Sequence, residues 1–218
     1  MSRRFTWKVV SCLVATLVMG ASHANAAVLS FNNLAGWQAA AGAESWVVDF
    51  SAFAVDTQFR TAAVDAGPFS LDEIGGDDFR NLIDVSPYQF SDNPGTTHAS
   101  MFTNFGGTTV NMQFDSPVQA WGADFYAIDG ELLDLVLNFV GGGTAIINVP
   151  GGSGFTGFTS DTAVASITFQ SRNNAPGPGG EGFPLDNVRG VTVPEPATLL
   201  LFATAGGALV RRMRQRRA

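Results

Sequence analysis

The sequence predicts an all-β protein built as an antiparallel β-sandwich, on three observations. Short segments alternate apolar with polar residues, the period of a half-buried strand. Clusters of glycine and proline separate them at the spacing of turns. Inside the folded region only one short stretch has helical spacing.

Taken in order, residues 27–31 predict a first strand. Residues 32–41 predict a short N-terminal helix, because asparagine can cap it and Leu34, Trp37 and Ala41 fall on one face. Residues 46–50 predict the next strand. From 53 to 92, Pro68, Gly75, Gly76 and Pro87 break any long element, and residues 72–78 read as an exposed acidic loop. Residues 108–114 alternate, with Val110, Met112 and Phe114 on one face. Residues 118–128 predict a longer, separate strand. Leu133, Leu135, Leu137 and Phe139 line one face of another. Gly141-Gly142-Gly143 turns the chain, and residues 145–149 pair back as a hairpin. Ala165, Ile167 and Phe169 alternate with Ser166, Thr168 and Gln170. Residues 173–182 form a Pro/Gly loop, and 185–192 close the fold as a last strand. Phenylalanine, 18 in the whole chain, is expected to be the main component of the core.

Both ends carry signals. Arg3, Arg4 and Lys8 precede an apolar run at 9–19 and an A-x-A site, Ala24-Asn25-Ala26. Residues 1–26 therefore read as a signal peptide, and 27–192 as the sandwich domain. Ser2-Arg3-Arg4 hints at a twin-arginine signal, but Phe5 sits one place early, which favours the general secretory route. Cys12, the only cysteine, leaves with the signal, so the domain has no disulfide.

At the other end, Pro194 and Pro196 fix two φ angles and donate no hydrogen bonds, which ends the preceding strand. Residues 197–210 are 14 positions without a charge. As a helix they span about 21 Å, short of a hydrocarbon core about 30 Å thick. Arginine snorkelling and bilayer thinning make them a marginal transmembrane helix. In the tail at 211–217, Arg211, Arg212, Arg214, Arg216 and Arg217 place that end in the cytoplasm and leave the bulk of the chain outside.

Pro194-Glu195-Pro196, the following Ala197-Thr198-Leu199-Leu200 and the arginine cluster resemble the PEP-CTERM sorting signal of Gram-negative bacteria. The resemblance covers residues 193–218. It implies recognition by an exosortase, cleavage near the triplet and a transient inner-membrane intermediate. It also implies delivery to the cell surface or extracellular matrix, with exopolysaccharide of a biofilm as a partner. It is silent on the chemistry of the cargo. A second resemblance concerns the cargo itself. Residues 116–125, beginning Ser116-Pro117-Val118, and residues 183–188, Phe183-Pro184-Leu185-Asp186-Asn187-Val188, are similar to strands of PEP-CTERM cargo domains. That likeness implies a jelly-roll, lectin-like sandwich.

Charge and composition exclude much. Residues 27–193 hold four basic residues (Arg60, Arg80, Arg172, Arg189) against 18 acidic ones, a net charge of −14. Such a surface repels nucleic acid and anionic lipid. Without lysine or cysteine, and with His98 as its one histidine, the domain excludes Schiff-base and thiol catalysis and a zinc site of several His or Cys. Gly151-Gly152-Ser153-Gly154 misses the nucleophile-elbow spacing by one, and His98 reads as a locally bonded strand-edge residue. Gly141-Gly142-Gly143-Thr144 lacks the lysine of a phosphate loop.

Carboxylate chemistry survives. Asp124, Asp129, Glu131 and Asp134 are close enough in sequence to pair across a glycosidic bond. Ca²⁺ is the candidate cofactor, with oxygens from Asp124, Asp129, Glu131, Asp186 and Asn187. Of the three tryptophans in the domain, Trp37, Trp46 and Trp121, the best candidate sugar platform is Trp121, beside Gly122. Two functions follow. The first is an exported, non-catalytic surface or matrix protein that binds exopolysaccharide, or serves purely as a coat. The alternative is a secreted carboxylate-dependent glycosidase or lyase acting on matrix polysaccharide.

Overall fold

The computed structural model describes residues 26–76, 80–85, 94–103, 108–128, 133–172 and 181–193. Among them run β1 (Val28–Phe31), α1 (Leu34–Ala41), β2 (Trp46–Val48), β3 (Thr57–Gln58), β4 (Val64–Asp65), β5 (Phe69–Ile74) and β6 (Leu82–Asp84). There follow β7 (His98–Thr103), β8 (Thr109–Ile128), β9 (Leu133–Phe139), β10 (Thr144–Asn148), β11 (Gly152–Ser171) and β12 (Glu181–Thr192).

All the strands belong to one hydrogen-bonded sheet, every pairing in it antiparallel. Two strands of 20 residues, β8 and β11, fold that sheet over on itself. In one layer, the start of β8 pairs with the end of β11, flanked by β5 and β4 on one side and β9 and β10 on the other. In the other, the end of β8 pairs with the start of β11, flanked by β1 and by β12. From β12 that layer continues through β7, β6 and β3, and β2 also pairs with β12. The bend falls where the register skips: Val118 faces Val164, yet the next pair is Gln113 with Ser166. Pro117 sits in this gap, where its missing N–H leaves no ladder bond unmade.

The core lies between the layers. Phe69, Leu71, Val110, Met112, Phe114, Leu135 and Leu137 meet Trp121, Phe125, Phe158, Phe183 and Leu185. Ring contacts tie the layers: Trp121 to Phe169 at 6.1 Å between centroids, and Phe169 to Phe183 at 6.0 Å. The alternation read for 110–114 and 133–139 is the alternation observed.

Four expectations are corrected. Residues 109–114 and 118–128 are one continuous strand, because Pro117 lies at the bend and does not end pairing. Asp72, Glu73 and Ile74 are not loop but the end of β5, paired with Asn111, Val110 and Thr109. Ala165 is displaced from the core by the bulge, and Val164 is buried in its stead. The last strand also starts earlier than expected, at Glu181. The signal peptide and the C-terminal helix at 197–210 lie outside the described residues. Among the described residues no helix is long and apolar enough to cross a membrane.

Helix α1 covers the outer face of the second layer. Asn33 caps it, its Oδ1 accepting from Gly36 N at 2.7 Å. Trp37 is buried against Ala120 and Phe155, and its Nε1 donates to Phe158 O at 2.9 Å. This fit requires a bare backbone beneath it. A Cβ on Gly157 would sit 2.8 Å from Trp121 O and 2.9 Å from Trp37 Cδ1. Gly157→Val is therefore expected to destabilise the domain by about 1–3 kcal/mol through overpacking. A urea midpoint unchanged from wild type would contradict this seating of the helix.

Candidate functional site

Register gathers the ionisable residues of the second layer into one row on its outer face. Asp84 of β6 pairs with His98 of β7. Leu185 of β12 pairs with Ala99, which sets the next residue, Asp186, beside His98. Asp186 in turn pairs with Asp124 of β8. Directly opposite residues of an antiparallel pair share a face, with Cβ atoms about 4.5–5.5 Å apart. The row is therefore Asp84, His98, Asp186, Asp124, across four neighbouring strands.

A bulge finishes it. Between Asp186 and Arg189, β12 has one residue more than β8, and Asn187 takes φ 49°. Asparagine tolerates this left-handed backbone better than most residues do. The twist turns its side chain back over the row, where Nδ2 donates to Asp124 Oδ2 at 3.0 Å. Asn187 N donates to Asp186 Oδ1 at 2.7 Å, and Thr96 Oγ1 donates to Asp186 Oδ2 at 2.9 Å. Arg189 Nε donates to Asn187 O at 3.1 Å, and its Nη1 lies 3.5 Å from Glu44 Oε1.

The row is sealed. Asp186 is 3% exposed and His98 0%. Burial raises the Asp186 carboxyl above its ordinary pKa. Hydrogen bonds from Asn187 and Thr96 and the nearby His98 oppose that rise, and Asp124 adds to it. His98 Nδ1 lies 2.7 Å from Thr96 O; a carbonyl only accepts, so Nδ1 carries a proton. Among the described residues His98 Nε2 and Ser100 Oγ are buried without a hydrogen-bond partner, so they do not form a Ser–His pair with each other.

The sign of the pH dependence follows. The fold favours protonated Asp186, so this group's contribution to stability is complete below the ordinary aspartate pKa. It is lost as pH rises through the raised folded value. Asp186→Asn, which cannot ionise, is expected to remove that loss. Urea midpoints measured across the acid range for both proteins test it, and an identical slope in the two would contradict it.

The other candidates separate. Trp121 is corrected: it is 0% exposed, enclosed by Phe125, Phe158 and Phe169, and presents no face to a sugar. Asp134 belongs to the other layer, on β9, where Arg172 Nη2 pairs with it at 2.8 Å and Asn148 donates to it at 2.8 Å. Asp129, Glu131, the Pro194-Glu195-Pro196 triplet and the five tail arginines lie outside the described residues. Among the described residues no three His, Cys, Asp or Glu side chains converge to hold a metal ion, so Asp124 and Asp186 gain no third such ligand there. Asp84 and Thr96 were not anticipated; only strand register, which pairs residues far apart in the chain, brings them in.

Comparison with known protein families finds a sorting motif at the end of the chain. A family model described as a PEP-CTERM protein-sorting motif matches residues 192–217. The chain carries a PEP-CTERM sorting motif. It begins at Thr192, the last residue of β12, so the PEP-CTERM segment starts where the sandwich stops. The motif implies export and processing by an exosortase. No curated protein matches the chain. A solved structure, the enzymatically active domain of tailspike protein 4 from bacteriophage CBA120, is similar at 15% identity with a TM-score of 0.35. The match covers 67% of this chain and 22% of that one.

Proposed function

We propose that the chain is an exported, non-catalytic surface or extracellular-matrix protein that an exosortase sorts and that binds exopolysaccharide in a biofilm. The observation that carries this reading is the sorting motif abutting the final strand. A processing triplet that follows the last strand in sequence can be cut without unfolding the cargo. The buried polar row supports a non-catalytic sandwich, since Asp186 and His98 have almost no surface to offer a substrate. The net charge of −14 over residues 27–193 favours a neutral polymer over an anionic one.

Co-sedimentation of the full chain with exopolysaccharide from its host tests the proposal. The expected result is retention of the protein with no change in polymer length. Shortening of the polymer, lost in Asp124→Asn or Glu131→Gln, would instead establish the glycosidase or lyase reading. Absence of retention would remove exopolysaccharide as the partner.

A further inference from the structure

The first layer ends in an open edge. Among the described residues β10 pairs with β9 alone. Phe139 N donates to Gly143 O at 3.1 Å, and Val149 N donates to Leu133 O at 2.9 Å. Antiparallel ladders alternate, so Ala145 and Ile147 also bond to β9. The N–H and C=O groups of Thr144, Ile146 and Asn148 therefore point outward. All three residues are exposed, Ile146 by 59%. The other strands that end a ladder are shorter: two residues in β3 and β4, three in β2 and four in β1. Short edge strands and edge charges guard against pairing with another chain. β10 has five residues, no proline, no bulge against β9 and no charge.

Charge selects the occupant. Residues 27–193 carry a net charge of −14, so two copies repel over most of their surface. Residues 135–160 carry no charge, a run that contains β10 and the turns on both sides of it. Asp134, which faces Asn148 from β9, is paired with Arg172 at 2.8 Å. The edge is also complementary to itself. Antiparallel pairing about a two-fold axis at Ile146 sets Ile146 opposite Ile146 of the second copy, and Thr144 opposite Asn148. Each outward N–H then meets an outward C=O. The two Ile146 side chains meet on the outer face, with Cβ atoms roughly 5 Å apart, and shield each other from water. We propose that β10 is a dimerisation edge that joins the first layers of two copies of this chain into one continuous sheet. This goes beyond the sorting and polysaccharide reading and does not depend on it.

Sedimentation equilibrium of the full chain in density-matched detergent, over a concentration series, tests it. The contact is small, so the mass is expected to rise from monomer to dimer with concentration and to stop there. Ile146→Lys sets two cations opposite each other and is expected to weaken the dimer about tenfold or more. Its site is exposed, so the urea midpoint is expected to stay near wild type. Leu29→Lys makes the same charge change at a 63% exposed site on β1 and is expected to leave the dimer intact. In a Cys12→Ser background, Ile146→Cys sets two thiols opposite each other. Their Cα atoms lie about 5.5 Å apart, inside the span of a disulfide. Mild oxidation is expected to give a covalent dimer on a non-reducing gel. A wild-type mass that stays monomeric overturns the inference and leaves the edge to a different chain. A dimer that survives Ile146→Lys, or Ile146→Cys chains that do not cross-link, overturns it as well.

Discussion

Trp121→Ala is expected to destabilise the sandwich by about 3–5 kcal/mol, the cost of removing a large buried aromatic and leaving a cavity. The residue is fully buried at the centre of the core. Its ring lies 6.3 Å from Phe125, 6.2 Å from Phe158 and 6.1 Å from Phe169, and so touches both layers. A domain of this size is stable by about 5–15 kcal/mol, so the loss is a large share of the whole. Among the described residues its indole N–H is buried without a hydrogen-bond partner, a defect that Phe does not carry. Trp121→Phe is therefore expected to cost much less than Trp121→Ala. Urea unfolding of the two variants measures both. Loss of sugar binding in Trp121→Ala with unchanged stability would contradict the core placement.

Replacing Pro194, Glu195 and Pro196 together with alanine is expected to abolish C-terminal trimming. The uncut precursor should then accumulate in the membrane fraction, held by residues 197–210 and the arginines behind them. The sandwich itself should unfold at the wild-type midpoint, because β12 ends at Thr192, before the triplet. Fractionation and immunoblotting of the native host, using an antibody against the sandwich, reads the first effect. A triple variant trimmed and released like wild type would contradict the role assigned to the triplet.

These two predictions mark what the chain discloses about itself. Local periodicity was legible. Val110, Met112 and Phe114, and Leu133, Leu135, Leu137 and Phe139, face the core as their alternation requires. The Asn33 cap and the buried Trp37 of α1 were readable for the same reason. The sorting tail was readable because its properties, two prolines, an apolar run and five arginines, are themselves linear.

What could not be read was set by long-range register. The fusion of two predicted strands into β8 depends on a bend that Pro117 tolerates, and the displacement of Ala165 depends on a bulge against β8. The polar row joins residues from β6, β7, β8 and β12, whose adjacency no local pattern announces. Trp121 is a different case. Trp121, Ala123 and Phe125 alternate onto one face, and Phe125 marks that face as the core. Gly122, beside Trp121, makes room on the opposite face for the Phe155 ring.

The decisive measurement is mass spectrometry of the C-terminus of the protein made by its native host, with and without a functional exosortase. With the enzyme, the chain should end near Pro194-Glu195-Pro196 and lack the apolar run and arginines. Without it, those residues should all remain. A C-terminus at Ala218 in both hosts would show that the tail is never processed, and the assignment of this chain to an exported, sorted role would fall.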